Sequence, residues 1–313
     1  MPPICVLLCV HNARNTLAQA LDSILNQTFR CFEFLIIDDG STDGSADMLR
    51  RYAAMDDRIR LVNHDQNAGL TDRLNEGCNL TNCELIARMD ADDEALPDRL
   101  ATQYRFMSDR PGVALAGSFM YAMGRSPGYD RLMTYPTEPS AVTSRLREEN
   151  CIAHPTVMFR REAVMAVGLY RPIFKAAQDY DLWLRLSRHH DLANIPIPLL
   201  RYRFVAGGIT LKRKWEQYYY VFLAKVSDAN PDMPIEEARV RAKELHEAND
   251  RIYFLGCVAR GTAEELIRLR HWREAAAVLK KFSGEIGRRK TWEIVKSLVK
   301  SRRELLRREV IET

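Results

Sequence analysis

The stretch Glu84-Leu85-Ile86-Ala87-Arg88-Met89-Asp90-Ala91-Asp92-Asp93 joins a short apolar run to three carboxylates that fall within four residues. The apolar run is typical of a buried strand, and the acidic residues follow its carboxyl end. Ligands of an open α/β sheet bind at the carboxyl ends of its strands. This stretch therefore predicts a strand that ends at an acidic site on one edge of a sheet.

Carboxylates this close repel one another, so a positive group is expected beside them. A hard divalent cation, Mn²⁺ or Mg²⁺, binds carboxylate oxygens and keeps positions open for phosphate oxygens. We therefore predict a metal site at Asp90 and Asp92, with His154 as a further candidate ligand. The alternative is a solvated acidic turn in which Asp92 or Asp93 caps the next helix, and a histidine that only begins a strand.

Strand-like apolar runs alternate with amphipathic helical segments on both sides of this stretch. The alternation predicts an α/β fold, with an open, mostly parallel sheet flanked by helices. The predicted strands are Ile4–Val10, Phe32–Ile37, Ile59–Val62, Glu84–Ala87, Val113–Ser118, Thr156–Phe159 and Ile195–Phe204. From Met120 to Glu149 the pattern loosens, and we expect a loop or short mixed strands there.

After Gly207-Gly208 the sequence becomes helical, with prolines and glycines between the helices. We therefore expect an α/β domain over residues 1–206 and a helical region over residues 207–313. The longest apolar run, Ile4–Val10, is too short to cross a bilayer, and Met1-Pro2-Pro3 lacks the basic start of a signal peptide. These features lead us to expect a cytoplasmic protein.

Basic residues concentrate at the carboxyl end. Residues 270–313 carry 13 Lys and Arg against 6 Asp and Glu, whereas the rest of the chain has a net charge of −3. An apolar stripe flanked by Lys and Arg runs through residues 291–310, so these helices suit the surface of an anionic membrane. The alternative is that the stripe packs on the α/β domain or on a second subunit of an oligomer. Nucleic acid is not an expected partner.

Polar residues follow other predicted strands as well. Val10-His11-Asn12 has neither the glycine pattern of a dinucleotide site nor that of a P-loop, which disfavours both. Asp38-Asp39 follows the second strand, where a carboxylate can accept hydrogen bonds from a base or a ribose. Gln178-Asp179-Tyr180-Asp181 opens a helix far downstream, so Asp179 is either a general base or the N-cap of that helix.

Five segments carry a family resemblance in this order along the chain: Val6–Asn12, Ser23–Thr28, Ile36–Asp43, Met89–Asp93 and Gln178–Trp183. They resemble family 2 glycosyltransferases of the GT-A fold. The resemblance covers about residues 3–204, and the helical tail lies outside it.

The resemblance implies transfer of a sugar, with inversion at its anomeric carbon, from a nucleotide diphosphate donor to a glycan or lipid-linked acceptor at the inner face of the membrane. A UDP-sugar is the expected donor, and Mn²⁺ or Mg²⁺ is the implied cofactor. Asp92 is the implied metal ligand, Asp90 lies near the ribose or the metal, and Asp179 is the implied general base. The positions expected to hold the nucleotide sugar are Cys9, His11, Asn12, Asp39, Arg73 and Asp90.

Some of these positions depart from the family or have a simpler interpretation. Cys9 stands where the family often has proline or a small polar residue, and Gln178 stands where glutamate is frequent. Arg73 and Arg88 are candidates for diphosphate contacts, but Arg73 would also suit an exposed helix position.

Two other functions compete with this one. A sugar-phosphate nucleotidyltransferase shares a related sheet and metal carboxylates, but it uses a glycine-rich basic loop after the first strand. His11–Asn15 contains no glycine. A catalytically silent nucleotide-sugar-binding protein would not need both Asp92 and Asp179.

Overall fold

The computed structural model describes residues 2–123, 130–203 and 211–249, together with scattered positions between 258 and 296. The side chains of residues 211–213 are not described. The predicted domain boundary at residues 206 and 207 and most of the stripe at residues 291–310 lie outside the described residues, so both stay predictions.

The described strands form one mixed sheet. They are β1 (Ile4–Val10), β2 (Phe32–Asp39), β3 (Ile59–His64), β4 (Leu85–Met89), β5 (Glu94–Ala95), β6 (Val113–Ala122), β7 (Arg131–Met133), β8 (Met158–Arg160) and β9 (Asp191–Tyr202). Their order is β3-β2-β1-β4-β8-β6-β9-β5, with β7 beside β6. The pairs β1–β2, β1–β4, β2–β3 and β6–β9 are parallel, whereas β8 and β5 run antiparallel to their neighbours. The predicted α/β sheet is confirmed, and β8 and β5 make it mixed.

Helices flank this sheet and follow most of its strands. They are α1 (Leu17–Leu25), α2 (Ser45–Met55), α3 (Leu70–Leu80), α4 (Arg99–Asp109), α5 (Pro139–Glu148), α6 (Arg161–Ala166), α7 (Gln178–Leu186), α8 (Leu211–Ala229) and α9 (Ile235–Glu247). The buried face of α1 consists of residues at helical spacing, as its sequence predicts. In contrast, α7 is buried on nearly every side, because α5, α6 and β9 pack around it.

Two local predictions between residues 120 and 160 were wrong in part, although the short strand β7 does lie in the segment where short mixed strands were expected. Helix α5 occupies part of the expected loop, where Pro139 begins the helix and Val142 and Leu146, four residues apart, are buried. The strand expected from Thr156 starts only at Met158, because residues 154–156 form a 3₁₀ turn.

Close packing sets the position of α3 against β1. A Cβ at Gly77 of α3 would lie 2.3 Å from Leu7 Cδ1, and Leu7 is buried in β1. Glycine therefore lets the helix approach the strand closely. The approach holds the start of α3 beside the carboxyl ends of the central strands.

The described residues divide into two compact units, the first comprising residues 2–122, 132–203 and 227–231. In the second unit, His246 of α9 lies against Trp215 of α8, with ring centroids 4.0 Å apart and His246 Nε2 2.9 Å from the Trp215 carbonyl oxygen. Ala238 and Ala242 of α9 are buried. Among the described residues, no helix has both the length and the apolar character that a membrane span requires.

The contact between Gly77 and Leu7 yields a stability prediction. Gly77→Ala is expected to lower the free energy of unfolding by about 1–2 kcal/mol, because overpacking outweighs the better helix propensity of alanine. Gly112→Ala is the matched control, since a Cβ there meets nothing within 4 Å. Urea denaturation measures both. Equal stabilities for the two variants would contradict the packing account.

Candidate active site

The loops after β1 and β2 are joined by hydrogen bonds. The Asn12 N–H donates to Ser41 Oγ (3.0 Å), and Asn12 Oδ1 accepts from the Thr42 N–H (2.8 Å). His11 Nδ1 lies 2.9 Å from the Asp39 carbonyl oxygen, and it carries the proton because a carbonyl only accepts. His11 Nε2 then accepts from the Asn12 amide at 3.1 Å. His11 and Asn12 are thus held in place at the carboxyl end of β1.

Asp39, at the end of β2, binds the segment that leads into α3. Its Oδ1 accepts from the Ala68 N–H (2.8 Å) and from Arg73 Nε (2.7 Å), and its Oδ2 accepts from the Gly69 N–H (2.9 Å). Burial would raise the pKa of Asp39, but these hydrogen bonds and the Arg73 charge outweigh it and lower the pKa. Since a carboxylate has about four acceptor positions, ionised Asp39 can still accept from a ligand.

A glycine makes this contact with the α3 segment possible. Gly40 has a φ of +70°, and a Cβ there would lie 2.8 Å from the Gln66 carbonyl carbon. Any side chain at position 40 would therefore push the segment around Gln66 away from the end of β2. The close approach places Ala68 and Gly69 within reach of Asp39.

All three guanidinium nitrogens of Arg73 donate hydrogen bonds to other groups of the protein. Besides the contact with Asp39, Nη1 donates to Glu76 Oε2 and Nη2 to the Gln66 carbonyl oxygen, both at 3.0 Å. The side chain is only 12% exposed, so the interpretation of Arg73 as an exposed helix residue is wrong. Its contact with a diphosphate stays a prediction.

Cys9, at the end of β1, is half-buried. Burial raises the pKa of its thiol far above the ordinary range, although the Arg88 charge opposes that shift. Cys9 is therefore a neutral thiol, and its contact with the nucleotide stays a prediction.

Arg88 and Asp90 form a two-pronged ion pair at the end of β4. Both terminal guanidinium nitrogens of Arg88 donate to the Asp90 carboxylate. The Arg88 side chain is 3% exposed, so its charge lies buried beside the acidic loop. Its backbone is also held, because its N–H donates to the Val157 carbonyl (3.0 Å) and Arg99 Nη2 donates to its carbonyl oxygen (2.6 Å). The chain itself thus supplies part of the positive charge expected beside the carboxylates.

Asp90, Asp92 and Asp93 form an acidic trio, in which one carboxylate oxygen from each residue lies within 4.8 Å of the other two. Burial, followed by the charge of Asp90, raises the pKa of Asp92, and the same two causes raise the pKa of Asp93 to about 8. Arg88 opposes both shifts without cancelling them. Added positive charge among these oxygens would favour their ionised form, so the trio fits a divalent cation. Asp93 thus joins Asp90 and Asp92, the two metal ligands predicted from the sequence, in one cluster.

Arg203, which sequence reasoning missed, holds this loop from the end of β9. Its N–H donates to Asp93 Oδ1 (2.8 Å), its Nε to the Asp92 carbonyl oxygen (2.9 Å) and its Nη2 to Gln19 Oε1 (2.7 Å). The other oxygen of Asp93, Oδ2, is buried without a hydrogen-bond partner in the described part of the chain. Such an orphaned oxygen calls for a physical reason, and a bound cation would provide one. The sequence signal for Arg203 was only a basic residue near the end of the last predicted strand.

Asp179 is the second residue of α7, and the helix is capped by Ala177, whose φ is +53°. The alternative that Asp179 is the N-cap is therefore wrong. Its Oδ2 accepts from Asn150 Nδ2 at 2.9 Å. Burial raises the pKa of Asp179, while hydrogen bonds from the Tyr180 N–H and from Asn150 and the charge of Arg88 oppose that shift. Arg88 is thus an electrostatic neighbour of both Asp179 and the acidic trio.

The nearby Asp181 has a structural role. Its side chain is 2% exposed, and Oδ2 accepts from Arg171 Nε (3.0 Å) and from Arg185 Nη2 (2.9 Å). Two arginines therefore compensate its buried charge, and they tie α7 to the segment that precedes it.

His154 lies in the 3₁₀ turn before β8. Its Nε2 is 3.0 Å from the Tyr170 hydroxyl, and its ring meets the edge of Trp183 at a centroid distance of 5.8 Å. Burial, followed by the charge of Arg88, lowers the pKa of His154 well below the ordinary range, so the ring is neutral. The acidic trio does not include His154, and its role as a metal ligand stays a prediction.

A sequence model of the family described as "Glycosyl transferase family 2" matches residues 5–168, which is more than half of the chain. The chain belongs to glycosyltransferase family 2. The matched range of this glycosyltransferase includes the candidate residues from Cys9 to His154, whereas Asp179 lies beyond it.

Two curated relatives agree with this assignment. The amylovoran biosynthesis glycosyltransferase AmsE of Erwinia amylovora is 30% identical over 213 residues, which cover 67% of this chain and 79% of AmsE. The O-antigen biosynthesis glycosyltransferase WbnJ of Escherichia coli is 32% identical over 184 residues, which cover 58% of this chain and 71% of WbnJ. Both are glycosyltransferases, which decides against the nucleotidyltransferase alternative and supports enzymatic activity.

Solved structures show that the fold is GT-A. S. aureus TarS 1–349 in complex with UDP-GlcNAc aligns with a TM-score of 0.60 at 15% identity, covering 96% of this chain and 91% of TarS 1–349. The mannosyltransferase PcManGT from Pyrobaculum calidifontis, in complex with GDP-Man and Mn²⁺, aligns with a TM-score of 0.58 at 16% identity, covering 91% of this chain and 87% of PcManGT. The expected GT-A fold is therefore confirmed.

The contacts of Asp39 yield a prediction about stability. Asp39→Asn removes the charge that Ala68, Gly69 and Arg73 share, and we expect a loss of about 2–4 kcal/mol in the free energy of unfolding near pH 7. Because folding lowers the pKa of Asp39, this difference is complete above its unfolded pKa and shrinks as the pH falls through its folded pKa.

Urea denaturation at several pH values measures this difference. Asp47→Asn is the matched control, because Asp47 is 75% exposed and pairs only with Arg50 among the described contacts, so the change should stay within about 0.5 kcal/mol. An Asp39→Asn effect that is small at neutral pH, or that grows in acid, would contradict the account.

Proposed function

We propose that this family 2 glycosyltransferase transfers a sugar from a nucleotide diphosphate donor, a UDP-sugar, to a hydroxyl of a glycan or lipid-linked acceptor, with inversion at the anomeric carbon. The observation that carries the proposal is the arrangement around Arg88. This buried cation pairs with Asp90, and its charge also acts on Asp92, Asp93 and Asp179. A candidate metal-binding group and a candidate general base therefore share one electrostatic environment.

The proposed nucleotide end of the site is formed by His11, Asn12 and Asp39, with Cys9 beside them. The hydrogen bonds between the first two loops hold these residues before any donor binds. Such preorganisation supports donor binding, because little side-chain entropy remains to be lost. Ionised Asp39 is suited to accept a hydrogen bond from an N–H of the base or from a ribose hydroxyl.

Asp92 and Asp90 are the proposed ligands of Mn²⁺ or Mg²⁺. Asp93 gives Oδ1 to the Arg203 backbone and leaves Oδ2 without a described hydrogen-bond partner, so it is a further candidate ligand, as is His154. A divalent cation at this place would stabilise the negative charge that develops on the diphosphate leaving group. Arg88 would assist by holding Asp90 in a fixed orientation.

Asp179 is the proposed general base. In a single displacement, the acceptor oxygen bonds to the anomeric carbon while the bond from that carbon to the diphosphate oxygen breaks. The proton of the acceptor hydroxyl passes to the Asp179 carboxylate. Attack on the face opposite the leaving group inverts the anomeric carbon.

The class of acceptor is proposed from the relatives and from the tail. AmsE and WbnJ are named for the biosynthesis of amylovoran and of O-antigen, which supports a role in surface polysaccharide synthesis. We propose that the acceptor lies at the cytoplasmic face of a membrane, where the basic residues between positions 270 and 313 would bind anionic lipid.

The metal proposal predicts a binding result. Asp92→Ala should weaken Mn²⁺-dependent binding of UDP by about tenfold or more, because loss of a mere supporting residue of a metal site already costs 10–100-fold. Asp109→Ala, at the exposed end of α4, is the matched control. Calorimetric titrations with UDP, with Mn²⁺ and with EDTA, measure the effect. The proposal fails if UDP binds equally well under both conditions and to both variants.

The proposal for the base predicts a kinetic result. Asp179→Asn is nearly isosteric but cannot accept the proton, so turnover should fall about 10²-fold or more while UDP affinity stays the same. The assay measures nucleoside diphosphate release from a panel of UDP- and GDP-sugars with candidate acceptors, and Asp109→Asn is the control. Turnover within about threefold of the wild type would exclude Asp179 as the base.

A further inference from the structure

We propose that Asn150 is the positioning residue of the general base, holding the Asp179 carboxylate in the orientation in which it accepts the acceptor's proton. The proposal rests on the assignment of Asp179 made above and goes one residue beyond it. Asn150 lies in the loop between α5 and β8, well away from Asp179 in sequence, and it touches the carboxylate directly.

The contact has a defined direction. Asn150 Nδ2 donates to Asp179 Oδ2 at 2.9 Å, while Asn150 Oδ1 accepts from the Ile152 N–H at 3.2 Å. Because the Ile152 N–H can only donate, the side-chain oxygen of Asn150 must face Ile152, and the side-chain nitrogen must face Asp179. The side chain is therefore oriented by its own loop to present an N–H to Asp179.

The backbone of α7 is held by its packing, but the carboxylate of Asp179 has few side-chain partners. Asp179 is the second residue of α7, whose N-cap, Ala177, precedes Gln178. Asp181, by contrast, is held by two arginines. Among the described residues, Asn150 is the one side chain that hydrogen-bonds Asp179. A carboxylate in this position needs such a partner to keep a single rotamer.

The contact also stabilises the ionised form of Asp179. Burial raises the pKa of the carboxyl, and this shift is opposed by the Tyr180 N–H, Asn150, the Arg88 charge and the N–H of Asp179 itself. Among the described residues, Tyr170 is a further titratable group that interacts electrostatically with Asp179, and burial raises the pKa of Tyr170 well above the ordinary range. With Tyr170 neutral and Arg88 shared among several carboxylates, Asn150 is the neighbour dedicated to Asp179.

The direct test is the titration of Asp179 in full-length protein labelled with ¹³C at the aspartate carboxyls. The resonance that is missing in Asp179→Asn identifies the residue. In Asn150→Ala the titration midpoint of Asp179 should rise by about one pH unit, because the ionised carboxylate loses one hydrogen bond. It should rise further in Asn150→Asp, which has nearly the same volume but adds a like charge. Glu148→Gln removes an exposed charge at the end of α5, two residues before Asn150, and should leave the titration midpoint of Asp179 unchanged.

Turnover gives the second readout. The assay uses the nucleotide sugar that the wild type turns over fastest. In Asn150→Ala, the acidic limb of the pH–rate profile should shift to higher pH by the same amount as the titration midpoint of Asp179. The KM for the donor should stay within about twofold of the wild-type value. A purely structural residue would lower the rate at every pH without moving that limb.

The outcomes separate this proposal from the one on which it rests. If Asp179→Asn retains full turnover, the base assignment is wrong. If that variant is inactive but the Asp179 midpoint and the acidic limb do not move in Asn150→Ala and Asn150→Asp, the base assignment survives and the role of Asn150 is refuted.

Discussion

The buried charge of Arg88 is the interaction on which the proposed active site depends. Without it, the end of β4 would bring three carboxylates together in a partly dry environment, where each would be protonated or pushed apart. Arg88 binds Asp90 through both terminal nitrogens, and its backbone is fixed by Val157 and Arg99. The Arg88 side chain thus makes the acidic loop compatible with folding, yet it compensates the negative charges of Asp92 and Asp93 only in part. This lack of positive charge beside Asp92 and Asp93 favours the binding of a cation.

The other loops of the site are held largely by hydrogen bonds that involve the backbone, with the ion pair between Asp39 and Arg73 in addition. Asn12 joins the first two loops, Asp39 joins the second loop to α3, and Arg203 anchors the acidic loop from β9. Two glycines permit these contacts, Gly40 because a side chain there would meet Gln66, and Gly77 because α3 packs directly on Leu7. The parallel strands β1, β2 and β4 therefore bring Cys9, Asp39 and the acidic trio to the same end of the sheet, and the loops hold them there.

The sequence was sufficient to predict the elements whose signal is local. Strands β1 to β4, the polar residues that follow them, and the acidic loop could all be read from apolar runs and from their ends. Helix α5 was missed because only two of its positions, Val142 and Leu146, are strongly apolar, so its amphipathic pattern is weak. Asn150 and Arg203 were missed because their contacts cross 29 and 110 positions of the chain, and no periodicity reports such pairs. The burial of Arg73 and Arg88 was also hidden, since an arginine in a strand or helix is usually exposed.

The central claim is that the acidic trio holds a divalent cation beside the donor diphosphate. Crystals grown with UDP and Mn²⁺, measured at the manganese absorption edge, would test it most directly. The account predicts one anomalous peak about 2–2.5 Å from a carboxylate oxygen of Asp92. Bound UDP with no anomalous peak at Asp90, Asp92 or Asp93, or with its manganese held elsewhere, would contradict it.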